Sequence, residues 1–159
     1  MSFVPRVMWE PDGRFRLELP ASERDVLRSL PGRLREVLAS DDPVLERLFP
    51  PAYIDDPTRE AEFRELVGSD LMEGKLGAIE VMETTIDAER LTEDELLAWL
   101  GALNDLRLVL GTRLDVTEET NFADFEGDPR EALFALYWYL GDLEADVVEA
   151  LAASEEPQG

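Results

Sequence analysis

The sequence predicts a mainly α fold, a helical bundle of about five to six helices with an N-terminal β-hairpin. Three observations lead there. Apolar residues recur at three- and four-residue spacing over most of the chain after residue 22. Three Asp-Pro steps and a capping-box sequence mark where helices begin. Only the first twenty residues show the period-two alternation of a half-buried strand.

The hairpin is expected over residues 3–19. Phe15, Leu17 and Leu19 alternate with Arg14, Arg16 and Glu18, and Glu10-Pro11-Asp12-Gly13 is a turn sequence. Pro20 ends the strand, and Ser22 is the expected N-cap of the next element. Val26, Leu27, Leu30, Leu34, Val37 and Leu38 keep a helical period, with Pro31-Gly32 demanding a kink or two abutting helices. Asp42-Pro43 opens a short helix that Pro50-Pro51 stop, and Asp56-Pro57 opens one expected to reach Val67. A separate helix is expected from Ser69 to about Asp87. Thr92-Glu93-Asp94-Glu95 is a capping box for a long helix to about Leu114. Asp128-Pro129 opens the last helix, expected to end near Ala152. Residues 1–153 form one domain in this reading, and 154–159 a flexible tail.

Composition narrows the function. The 159 residues hold 37 acidic and 15 basic side chains, no histidine and no cysteine, for a formal net charge of −22. Absent cysteine removes disulfides, thiolate nucleophiles and thiolate metal sites, and absent histidine removes imidazole acid–base work and Ser-His-Asp triads. Residues 1–64 are net −3 and residues 65–159 net −19. Such a field repels phosphate backbones and favours a basic protein partner. No apolar run approaches the ~20 residues of a membrane span, and residues 1–6 lack the long apolar core of a signal peptide, so a cytoplasmic protein is expected.

Certain charges fall where apolar residues belong. Lys75, the one lysine, lies within the stripe of Leu71, Met72, Ile79, Met82 and Ile86. Arg107 fills a vacant central position among Leu96, Leu100, Leu103, Leu110 and Leu114. Glu144 sits just off the centre of the Leu133, Leu136, Leu140, Leu143, Val147 and Leu151 face. Burying a lone charge is costly, so these groups belong to an internal network with Glu144 or Asp105, or to a pocket in which Lys75 and Arg107 bind an anion or a partner's carboxylate. Lys75, Arg107 and Glu144 are expected to approach one another.

Residues 132–140 are apolar almost all round, which suits a central helix or an interface. Phe134 and Trp138 are the expected contacts of a homodimer. Arg14, Arg16, Arg24, Arg28 and Arg35 make the one surface that could meet nucleic acid. The acidic loop from Asp115 to Asp128, anchored by Phe122 and Phe125, lacks EF-hand spacing, so no metal is expected there. Glu62/Glu65 and Glu80/Glu83 are E-x-x-E pairs of the kind used by helical magnesium-dependent nucleotide hydrolases, but no basic phosphate cradle accompanies them. No catalytic residue and no cofactor are assigned, and a non-enzymatic protein-interaction module is expected.

The segments 42–53 (DPVLERLFPPAY), 71–76 (LMEGKL) and 103–114 (LNDLRLVLGTRL) resemble the actinobacterial AosR-like family, formerly a domain of unknown function and often encoded near the ClpS protease adaptor. The resemblance implies a transcriptional regulator of the oxidative stress response that acts with a sigma factor. It also implies redox sensing through cysteines, which a chain without cysteine cannot carry over to any position.

Overall fold

In a computed structural model, residues 4–50 and 53–155 are described. Two strands, β1 (Val7–Trp9) and β2 (Phe15–Leu17), form the hairpin, with Val7 opposite Leu17 and Trp9 opposite Phe15. The turn closes through Gly13, whose φ of 90° suits glycine and whose N–H donates to the Glu10 carbonyl at 2.9 Å. Val7, Phe15 and Leu17 face inward, as the alternation requires.

Helices α1 (Ala21–Arg28) and α2 (Leu30–Leu38) abut at Ser29, and Pro31 sits in the first turn of α2, where its missing N–H costs nothing. A short α3 (Leu45–Leu48) follows a turn in which Asp42 accepts from the Val44 N–H at 2.9 Å. α4 then runs from Pro57 to Thr84, with Asp56 as N-cap. α5 (Glu93–Arg113) starts on the full capping box of Thr92 and Glu95. A 3-10 turn (Phe122–Phe125) precedes α6 (Glu131–Glu155).

Ser22 is not the N-cap expected of it: α1 begins at Ala21, with Pro20 at the cap position and Ser22 inside the first turn. Four further expectations are corrected. The helices expected at Pro57–Val67 and from Ser69 are one 28-residue helix. Gly68-Ser69 does not break it, because a helical glycine costs only about 1 kcal/mol. The apolar stripe does change side there. Phe63, Leu66 and Val67 lie roughly a third of a turn round the helix from Lys75, Ile79 and Met82, which is what imitates two helices in the sequence. A third strand, β3 (Arg90–Leu91), pairs with β2, bringing Leu91 opposite Phe15. Two residues are too few to show a period. Ser154 and Glu155, expected in a tail, are the last residues of α6, and the Ser154 hydroxyl donates to the Leu151 carbonyl at 2.7 Å.

The fourth of these concerns the centre. α5 has neighbours on most sides, with α4, α6, α2 and α3 packed around it and β3 at its start. Trp99, Leu96 and Leu103 are fully enclosed in it. α6, expected in the middle, lies on α5 and β1, and Ala132, Leu133 and Ala135 near its start stay exposed.

Candidate functional site

The charged residues within the bundle form two separate pairs on opposite sides of α5. Asp105 and Arg107 are two residues apart, a rotation of about 200° on a helix. Asp105 therefore faces α4, where both its carboxylate oxygens accept from Lys75 Nζ at 3.0 and 3.1 Å. Arg107 faces α6, where its Nη1 donates to Glu144 Oε2 at 2.7 Å. The expected meeting of Lys75, Arg107 and Glu144 does not occur, because α5 stands between Lys75 and Glu144.

Each pair is framed by an aromatic ring. Lys75 Nζ lies 5.4 Å from the centroid of Phe49, and the Arg107 guanidinium lies 5.2 Å from that of Tyr137. Burial pushes the Asp105 carboxyl above its ordinary range, while the Lys75 ammonium pulls the other way. For Arg107, burial lowers the value, but the Glu144 hydrogen bond and charge together leave it raised. A Cβ on Gly141 would meet the Arg107 guanidinium at 3.4–3.5 Å, so glycine gives Arg107 room to lie across α6. The Arg107 Nε–H has no hydrogen-bond partner among the described residues.

The arginine face is occupied from within. Arg24 donates to the carbonyls of Leu19, Ile86 and Ala88, the last two just beyond the end of α4. Arg28 forms two hydrogen bonds to Asp87 at 2.9 Å, and Arg35 two to Glu83. Arg16 pairs with Glu18 at 2.6 Å, and Arg14 with Asp12 at 3.7 Å. Every guanidinium once set against a phosphate backbone has a partner in the chain.

The aromatic pair is split as well. Phe134 is fully buried, its ring stacked on Phe125 with centroids 3.4 Å apart. It therefore offers no outer surface to a second copy, which corrects its placement at an interface. Trp138 is half-buried, its ring edge-on to Phe134 at 6.0 Å. Phe125 anchors the acidic loop, while the Phe122 side chain lies outside the described residues. Among the described residues, no three or more Asp, Glu, His or Cys side chains gather as a metal site. Glu62 and Glu80 lie on one continuous helix, about 27 Å apart along its axis at 1.5 Å per residue, so the two E-x-x-E pairs share no site.

The family model described as "Domain of unknown function (DUF2017)" matches residues 6–151. The chain belongs to the DUF2017 family. Relatives named "Oxidative stress regulator AosR" from Mycobacterium bovis (strain ATCC BAA-935 / AF2122/97) and Mycobacterium tuberculosis (strain ATCC 25618 / H37Rv) are each 32% identical over 130 residues. Each alignment covers 71% of this chain and 60% of the relative. The chain thus spans about three fifths of the length of these AosR proteins. No solved structure matches it. The DUF2017 match includes the Lys75–Asp105 and Arg107–Glu144 pairs, with all of α4 and α5 and most of α6. Among the described residues, no helix is long and apolar enough to cross a membrane.

Two features escaped the sequence reading. One is the exposed apolar side of the first half of α4. The other is an open groove between α2 and α6, where Arg33 stands. The phase shift at residues 63–67 could have revealed the first, and the all-round apolar start of α6 pointed toward the second.

Proposed function

We propose that this chain is a non-enzymatic regulatory module of the cytoplasm that docks a basic protein on the first half of α4. The observation that carries the proposal is the unpartnered apolar stripe there. Leu66 is 78% exposed, and Phe63 and Val67, on the same face of α4, are half-buried. Glu62, Glu65, Asp70 and Glu73 are exposed around it, and the two arginines of this stretch, Arg59 and Arg64, are set against Asp56 and Glu60. An apolar stripe inside a carboxylate rim suits an amphipathic helix with lysine and arginine on its flanks. The names of the mycobacterial AosR relatives support a regulatory role, and the family resemblance makes a sigma factor the first partner to try.

A DNA-binding role is disfavoured by the pairing of Arg14, Arg16, Arg24, Arg28 and Arg35 within the chain. Self-association is no part of the docking argument, since the acidic rim repels a second copy of itself.

Affinity capture from the native cytoplasm, with wild type and Leu66→Glu side by side, tests the proposal. A basic protein retained by wild type and lost by the folded variant is the expected result. Tight, sequence-specific promoter binding by the purified chain at about 150 mM salt would overturn it. So would metal-dependent nucleotide turnover that disappears in Glu62→Gln or Glu80→Gln.

A further inference from the structure

α6 is apolar on nearly every side at its start, yet one of those sides is uncovered. Between α2, α5 and α6 lies an apolar cavity of about 170 Å³, walled by Leu34, Val109, Leu110 and Leu136. It opens into a shallower groove between α1–α2 and α6, which shares Leu30, Arg33, Leu133 and Leu136 with it. Interiors are otherwise close-packed, and an apolar void of ~150 Å³ is known to stay dry and accept a benzene-sized guest. The cavity has the volume for about six to eight carbon atoms.

Two guanidiniums stand at its mouth. Arg113 is held loosely, 3.5 Å from Asp42. Arg33 has neither an ion pair nor a side-chain hydrogen bond among the described residues, whereas Arg28 and Arg35 on the same helical run pair with carboxylates and Arg24 is held by backbone carbonyls. Glu36 and Asp42 share the rim, and Asp42 is already engaged by Arg113 and the Val44 N–H. Two guanidiniums against two carboxylates leave the mouth close to neutral, so it has room for a single carboxylate at Arg33 and disfavours the several charges of a nucleotide phosphate chain.

We propose that this cavity binds a small anionic amphiphile, a carboxylate on an alkyl or aryl tail of about six to eight carbons. The tail fills the void between Val109 and Leu136, and the carboxylate meets Arg33, with Arg113 as its second donor. A neutral tail forgoes the charge-assisted hydrogen bonds, and a cation is repelled. The site is separate from the docking face on α4, so either reading stands without the other. It supplies a chemical input to a regulator that has no cysteine to oxidise.

Isothermal titration of the full chain with octanoate, 1-octanol and octyltrimethylammonium tests the proposal. Octanoate is expected to bind most tightly and the ammonium least. Arg33→Ala lowers octanoate affinity about tenfold, the worth of one charge-assisted hydrogen bond, and leaves 1-octanol unchanged. Leu136→Trp fills the cavity and removes both. If circular dichroism shows that variant misfolded, Leu133→Trp at the more exposed groove wall replaces it. No octanoate binding, equal binding of the ammonium, or an Arg33→Ala variant that keeps full octanoate affinity would each overturn the proposal.

Discussion

Asp105 and Arg107 stand two residues apart on α5 and reach opposite neighbours, Asp105 to Lys75 on α4 and Arg107 to Glu144 on α6. The central helix is thereby pinned on both flanks by an ion pair of opposite polarity. Double-mutant cycles measure this directly. Lys75→Met with Asp105→Asn should show a coupling of about 1–3 kcal/mol, because the two groups touch. Lys75→Met with Glu144→Gln should couple by less than about 0.5 kcal/mol, since α5 separates them. Strong coupling in the second cycle would restore the single network read from the helical wheels.

Trp99 ties α5 to the end of α4. Its ring is fully buried, and its Nε1–H donates to Thr85 Oγ1 at 2.7 Å. Thr85→Val removes the acceptor and strands an indole N–H, at a cost of about 1–3 kcal/mol. Thr84→Val next to it, on the exposed side, should change stability by no more than about 0.5 kcal/mol. Urea unfolding of the two variants gives the comparison.

The C-terminus of α5 ends in a Schellman motif: the Val116 N–H donates to the Gly111 carbonyl at 2.9 Å and the Asp115 N–H to that of Thr112 at 3.3 Å. Asp115 holds φ 52°, a conformation in which a side chain is strained. Asp115→Gly should raise stability by about 0.5–1 kcal/mol. Gly101→Ala, on an exposed part of α5 with nothing near the added carbon, should gain about as much. A fall in the melting temperature of either variant would contradict the backbone argument.

Acid pulls the carboxylates in two directions. Hydrogen bonds from Arg35 and Arg28 hold Glu83 and Asp87 below the ordinary carboxylate range. Their contribution is complete above the unfolded value near pH 4 and is lost as pH falls through the folded value. Asp105 runs the other way. Burial, opposed by Lys75, raises its folded value, so its contribution is complete below the unfolded value and is lost as pH rises through the folded one. The destabilisation caused by Asp105→Asn should therefore shrink between about pH 3.5 and pH 7. Growth of that difference with pH would mean that Lys75 outweighs burial.

What the sequence made legible depended on how local each signal was. The capping box at Thr92, the N-cap at Asp56 and the Gly13 turn are written in neighbouring residues and appear as expected. Mainly α architecture with an N-terminal hairpin followed from the same local patterns. The two-residue β3 left no pattern, and the unbroken α4 was hidden by its change of apolar side. The helical wheels placed Lys75, Arg107 and Glu144 on apolar faces, and all three do sit within the bundle. A wheel does not say which neighbour a face meets, so it could not separate Asp105's side of α5 from that of Arg107. Phe134 failed for a related reason: the ring that covers it, Phe125, comes from a loop with no periodicity.

Arg24 fastens segments far apart in the chain. One guanidinium holds carbonyls at residues 19, 86 and 88, joining the exit of the hairpin to the far end of α4. The first twenty residues therefore have no independent route to release. Opening them uncovers the Ile86 and Ala88 carbonyls just past the end of the longest helix, so amide protons of β2 and of the last turn of α4 should exchange with solvent at matched rates. For a DUF2017 chain, trimming the N-terminal hairpin would loosen a helix end more than sixty residues away, and proteolysis at either place would report on both.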